Sequence, residues 1–172
     1  MIHHVSIPAR EPQRVAEVLA ELMNGKCLPF GPLEGAYMAA SGDEHGSMIE
    51  VYPESATLEI PQDDEHVVFG AHAPPRTWPF HVLLSVPRSR EEIEAIGARE
   101  GWRAKTFGRG IPGQKPFFHV IEFWIENRLM IEVASPDMAE EYTTCLNSPA
   151  MSAIDPAAIK RAQQSYLRPA AR

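Results

Sequence analysis

The chain carries one tetrapeptide twice, as Met48-Ile49-Glu50-Val51 and again as Met130-Ile131-Glu132-Val133. Each copy is apolar and β-branched, which suits a strand, and strand alternation puts Ile and Val on one face and Met with Glu on the other. A carboxylate in such a run is costly unless it faces water or meets a partner. One copy alone reads as a solvent-facing residue. Two copies constrain the fold, because a histidine repeats with them: His4-Val5 opens the first strand-like run and His81-Val82 opens its counterpart. From His4 to Glu50 is 46 positions, and from His81 to Glu132 is 51. The chain therefore reads as a duplicated unit with a histidine at its first strand and a glutamate at its last.

The elements between those markers also repeat. Residues 2–7 form a strand with His4 and Ser6 on one face and Val5 and Ile7 on the other. Pro12 suits the first position of a helix, and Val15, Val18, Leu19 and Leu22 follow at helical spacing to Asn24-Gly25, so the stripe should pack on the Val5/Ile7 face. Short strands are expected at 27–30, 36–40 and 47–52, separated by glycine-containing turns. The second unit opens with a strand over 80–86. Ser89-Arg90-Glu91-Glu92 is a capping box that starts a helix ending at Gly101. Strands at 102–107, 117–125 and 129–134 follow, the last two joined by a turn at Glu126-Asn127-Arg128. Both units have the order strand, helix, strand, strand, strand. The organisation is thus a first module over 1–54, a linker over 55–79, a second module over 80–135 and a helical tail over 136–172. Within the linker, 57–60 and 67–69 are possible strands. In the tail, helical pieces are expected near 138–146 and after Asp155-Pro156.

Charge and cysteine usage exclude several classes. A net charge of −7 argues against a nucleic-acid partner, and no apolar run approaches the length of a membrane span. The start, Met1-Ile2-His3-His4-Val5, lacks the basic and apolar pattern of a secretory signal. Cys27 and Cys145 form no Cys-x-x-Cys pair, so a reducing cytoplasm fits better than a disulfide framework or a thiolate zinc site.

The four motifs resemble the vicinal oxygen chelate superfamily, which includes glyoxalases, extradiol dioxygenases and the bleomycin and fosfomycin resistance proteins. They are His4-Val5-Ser6-Ile7, Met48-Ile49-Glu50-Val51, Phe80-His81-Val82 and Met130-Ile131-Glu132-Val133, in that order. The resemblance covers about residues 1–54 and 79–135 and leaves the linker and tail unmatched. It implies an α+β fold in which two βαβββ modules form a curved, barrel-like cup around a central site. It also implies a metal bound by His4, Glu50, His81 and Glu132, with Glu50 and Glu132 as candidate proton carriers. Two imidazoles with two carboxylates suit one divalent first-row ion such as Zn, Ni, Fe, Mn or Co. The activity this implies is that of a glyoxalase-like lyase or isomerase on a small substrate that chelates the metal through adjacent oxygens. Two alternatives stay open: an extradiol-type ring-cleavage dioxygenase, for which Glu50 would be surplus, and a metal-free small-molecule binder of the resistance type.

The remaining candidates are weaker. His3 alternates away from His4 and reads as a sheet-edge residue, while His45, His66 and His72 lie in turn or linker stretches. His119 and Glu122 have opposite parity on one strand, so at most one faces the cup; His119 is a candidate substrate contact. Arg103, Lys105, Arg109 and Lys115 make a local basic loop over 103–116, in which Arg109 is a candidate for binding an anionic group on the substrate. A 25-residue linker allows the second module to fold back beside the first, so the site is expected within one chain and any homodimer contact elsewhere.

Overall fold

The computed structural model of the chain describes residues 2–30, 33–59, 68–74, 80–110 and 115–149. The first module is β1 (His4–Ala9), α1 (Pro12–Leu22), β2 (Lys26–Pro29), β3 (Tyr37–Ala40) and β4 (Met48–Pro53). A hairpin of β5 (Ala56–Glu59) and β6 (Val68–Ala71) follows. The second module is β7 (Leu83–Ser85), α2 (Arg90–Glu100), β8 (Ala104–Arg109), β9 (Phe118–Ile125) and β10 (Leu129–Ala134), and α3 (Pro136–Leu146) comes after it.

Both modules have the same topology. The first sheet has the order β1-β4-β3-β2 and the second β7-β10-β9-β8, with the opening strand at the edge and parallel to the closing strand. The two sheets remain separate, so the described residues form no closed barrel. The register repeats as well. Glu50 lies opposite Ser6, two residues past His4, and Glu132 lies opposite Leu83, two residues past His81. Equivalent positions in sequence are therefore equivalent in space.

The apolar face of each sheet is covered by its helix. Val15, Val18, Leu19 and Leu22 of α1 are buried with Ile7, Ala39, Ile49 and Val51, as the helical stripe requires. In the second module Ile93 and Ile96 of α2 join Ile121, Phe123, Ile131 and Val133 in the same core. The capping box forms: the Glu92 N–H donates to the Ser89 hydroxyl, and the Ser89 N–H donates to the Glu92 carboxylate. Gly101, at φ 69, closes that helix in the left-handed conformation that glycine adopts without a Cβ clash.

The modules sit side by side along their edge strands. Ile2 to Val5 and Val82 to Leu84 line one cavity of about 200 Å³. At the opposite end of β1, the N–H groups of Arg10 and Glu11 both donate to the Glu126 carboxylate in the β9–β10 turn, at 2.9 and 2.8 Å. The two edge strands thus run in opposite senses. Glu126 adopts φ 51, an uncommon conformation for a residue with a side chain. Its carboxylate supplies the negative charge that the first turn of α1 lacks, a contribution of about 1 kcal/mol. On the helical side, Arg14 grips Glu100 and Arg99 grips Glu21, each through two hydrogen bonds.

Several boundaries differ from expectation. The first strand is His4–Ala9 rather than 2–7, and it tolerates Pro8 because an edge strand has no ladder on its outer side. The second opening strand shrinks from 80–86 to three residues, because its ladder with β10 runs only from Leu83 to Ser85, leaving His81 exposed ahead of it. The strand expected over 102–107 is Ala104–Arg109, so Arg109 of the basic stretch lies on a strand rather than in the loop, and residues 111–114 lie outside the described residues. The linker strands form a hairpin, although Ile60 and Val67 lie outside the described residues, as do His66 and the helical piece after Asp155-Pro156. Among the described residues no helix is long and apolar enough to cross a membrane.

Candidate functional site

Alternation puts Ser6, Glu50 and Tyr52 on the sheet face away from α1. Glu50 is only 8% exposed and is placed by two hydroxyls: Ser6 Oγ donates to its Oε2 at 2.8 Å and Tyr52 donates to the same oxygen at 3.1 Å. Its other oxygen, Oε1, lies 3.7 Å from His4 Nε2. Tyr52 arrives by its place two residues along the strand, and Ser6 by the register of β1 against β4, a contact 44 residues apart.

Burial, and next to it the Glu50 charge, pushes the Tyr52 phenol up to about 12 from 10.0. A raised phenol stabilises the fold fully below its unfolded value, and that contribution disappears as pH rises through the folded value. Tyr52→Phe should therefore flatten the loss of unfolding free energy between about pH 10 and pH 12, read by denaturant titration at each pH. Parallel curves for the two proteins would remove the Glu50–Tyr52 contact as the cause.

The second half is built differently. Glu132 lies directly opposite Glu122 on β9, and two facing carboxylates repel unless a cation joins them. Arg109, at the end of β8, is that cation. Its Nη2 donates to Glu132 Oε1 at 2.6 Å and to Glu122 Oε1 at 3.0 Å, and its Nε donates to Glu132 Oε1 at 2.9 Å. Burial works against the guanidinium charge, but the hydrogen bonds to Glu132 and Glu122 outweigh it and hold the Arg109 pKa above its ordinary value. All the bonds to Glu132 fall on Oε1, so its Oε2 has no hydrogen-bonding partner among the described residues.

The two glutamates differ: both oxygens of Glu50 have neighbours, Oε2 two hydroxyls and Oε1 the His4 imidazole, whereas Glu132 is held through Oε1 alone. The histidines differ as well. His4 stands beside Glu50, whereas His81 is exposed and has no hydrogen-bonding or ion-pair partner among the described residues. His119 points elsewhere, its Nδ1 lying 2.9 Å from Glu141 of α3. His3 Nδ1 contacts the His45 carbonyl oxygen at 2.7 Å. Among the described residues no three His, Cys, Asp or Glu side chains are grouped to hold a metal; of the four expected ligands only His4 and Glu50 stand together. Two imidazoles and two carboxylates would suit a divalent first-row ion by type, but His81 lies ahead of its strand and Glu132 is paired with Arg109. Ser6, Tyr52 and Glu122 are the functional candidates that sequence reading missed. Tyr52 was signalled by its shared parity with Glu50.

No family model matches the chain, and no curated protein does. Solved structures do. A lactoylglutathione lyase from Agrobacterium tumefaciens is 9% identical with a TM-score of 0.49, the match covering 79% of this chain and 93% of that one. A glyoxylase/bleomycin resistance protein/dioxygenase domain from Frankia sp. EAN1pec is 17% identical with a TM-score of 0.46, covering 77% and 94%. The fosfomycin resistance protein FosX from Listeria monocytogenes is 12% identical with a TM-score of 0.47, covering 83% and 96%. The assignment of paired βαβββ modules rests on this chain's own strand order and repeated register.

Proposed function

We propose that the chain is a glyoxalase-like lyase or isomerase that acts on a small substrate with two adjacent oxygens, using one divalent metal held by His4, Glu50, His81 and Glu132. The observation that supports this reading is the repeated register, which sets Glu50 opposite Ser6 and Glu132 opposite Leu83, each two residues past a histidine. A bound divalent ion would supply Lewis acidity towards the substrate oxygens. The protein's own residues supply the remainder. Where Glu50 does not hold the ion, it can take a proton at Oε1 while Ser6 and Tyr52 hold Oε2, so that the carboxylate stays oriented as its charge changes. His4, beside Oε1, limits the direction from which that proton arrives.

The test is the metal content of untagged protein purified without added metal. About one divalent first-row ion per chain is expected from one complete four-residue set. Protein that stays metal-free, even after incubation with Ni²⁺, Zn²⁺, Co²⁺ and Mn²⁺, but still binds small molecules would point instead to the metal-free binding alternative.

A further inference from the structure

We propose that the hollow beside Arg103 and Trp124 binds a small aromatic carboxylate, its ring lying on the indole and its carboxylate on the Arg103 guanidinium. This holds whether or not the same sheet face carries a metal.

Strand register builds the place. β8 is the outer edge of the second sheet, and Lys105 on it lies opposite Glu122 of β9. Just before β8, the Arg103 carbonyl accepts from the Trp124 N–H at 2.8 Å, which sets these two residues side by side. Asn127 holds the same backbone from the turn: its side-chain oxygen accepts from the Arg103 N–H at 2.8 Å, and its amide donates to the Gly101 carbonyl at 2.9 Å. Arg103, Glu122, Trp124 and Asn127 line an open hollow of about 340 Å³. Glu122 does not close it to an anion, because Arg109 holds its Oε1 and Trp124 Nε1 donates towards its Oε2 at 3.5 Å.

The unmatched charge is Arg103. Every other described arginine is ion-paired with a glutamate. Arg109, the anion-binding candidate of the sequence, is among them and is committed to Glu132 and Glu122. Arg103 has no acidic partner among the described residues. Its guanidinium lies 5.8 Å from the centre of the Phe107 ring, and Lys105 Nζ lies 5.6 Å from the same ring. Attraction to a ring is weak at an exposed site, and two cations gathered at one ring repel each other unless an anion joins them. In a chain of net charge −7, an arginine without an acid is the exception.

The chemistry of the ligand follows from its neighbours. A guanidinium presents parallel N–H donors in one plane, the pattern that a carboxylate accepts through both oxygens. The Trp124 ring beside it gives a flat apolar body a surface to lie on, and Lys105 adds positive potential along the open edge.

The test titrates the full untagged chain, dialysed free of metal, with benzoate, following the indole N–H signals by heteronuclear NMR; Trp124→Phe identifies the Trp124 signal. That signal should move saturably in the wild type. Arg103→Gln should weaken binding about tenfold, the loss expected when hydrogen bonds to a charged group are removed. Arg103→Lys keeps the charge without the fork and should fall between the two. Benzamide, with the ring but no charge, and acetate, with the charge but no ring, should each bind more weakly than benzoate. Arg103 is exposed, so its replacement spares the core, and thermal unfolding of each variant checks that the fold persists. Benzoate that causes no saturable shift overturns the proposal, as does equal affinity in the wild type and folded Arg103→Gln. Benzamide that matches benzoate would remove the guanidinium's role, and acetate that matches it would remove the indole's; either also overturns the proposal. Because the protein is metal-free throughout, failure here leaves the metal reading standing.

Discussion

Replacing Glu50 and Glu132 together by alanine should abolish divalent-metal binding. The two carboxylates supply all the negative charge of the proposed ligand set, and the histidines alone would have to hold the ion against water. Partners that merely orient a ligand are worth about 10–100-fold in affinity, so loss of two direct ligands should exceed that. The surroundings tolerate both changes. Glu50→Ala leaves the Ser6 and Tyr52 hydroxyls, which can turn to water, and Glu132→Ala leaves Arg109 still paired with Glu122. The double variant should therefore unfold cooperatively at a temperature near that of the wild type while elemental analysis finds no bound ion. Undiminished metal in a folded double variant would mean that the ion sits elsewhere and that the four-residue assignment is wrong.

How far the site could be read from sequence depended on which interactions were local. Parity along β1 and β4 placed Ser6 with His4 and Tyr52 with Glu50, so the first half was within reach once the tetrapeptide repeat was seen. The capping box at Ser89 and the apolar stripe of α1 were legible for the same reason, because each is a pattern within one element. The second half was not. Its central contact joins Arg109 at the end of β8 to Glu132 on β10, with Glu122 on the strand between them, and no spacing within one strand reveals a contact across three. The signal that could have found Glu122 was the turn at Glu126-Asn127-Arg128. A three-residue connection pairs Ile125 with Leu129, and counting back from that pair sets Glu122 opposite Glu132. His81 fails for another reason. The sequence read its strand from β-branched composition, whereas strand formation also needs a partner's donors, and the ladder on β10 begins only at Leu83.

Mixing separately purified His4→Ala and His81→Ala proteins under subunit-exchanging conditions should restore neither metal affinity nor activity. The reason is the way the modules meet within one chain. Their edge strands share a cavity, Glu126 of the second module caps the approach to α1 of the first, and Arg128 of the second pairs with Glu54 of the first. The two helices are joined by Arg14–Glu100 and Arg99–Glu21, in which the Glu100 side chain is 8% exposed. Exposed ion pairs of this kind contribute at most about 1 kcal/mol each. Their value as evidence lies in geometry, since together with the continuous apolar core they fix one module against the other at both ends of β1. A site that combines the half at Glu50 with the half at Glu132 is then completed by residues of a single chain. In a mixture of the two variants every such site still lacks one histidine. If sites were instead shared between chains, a mixed dimer would hold one site missing both histidines and one intact site, and binding would return to about a quarter of the wild-type capacity, because random exchange makes half of the dimers mixed and one site in two of those is complete. Recovery of that size would transfer the site to an interface between chains and leave the contacts described here as the back of the molecule.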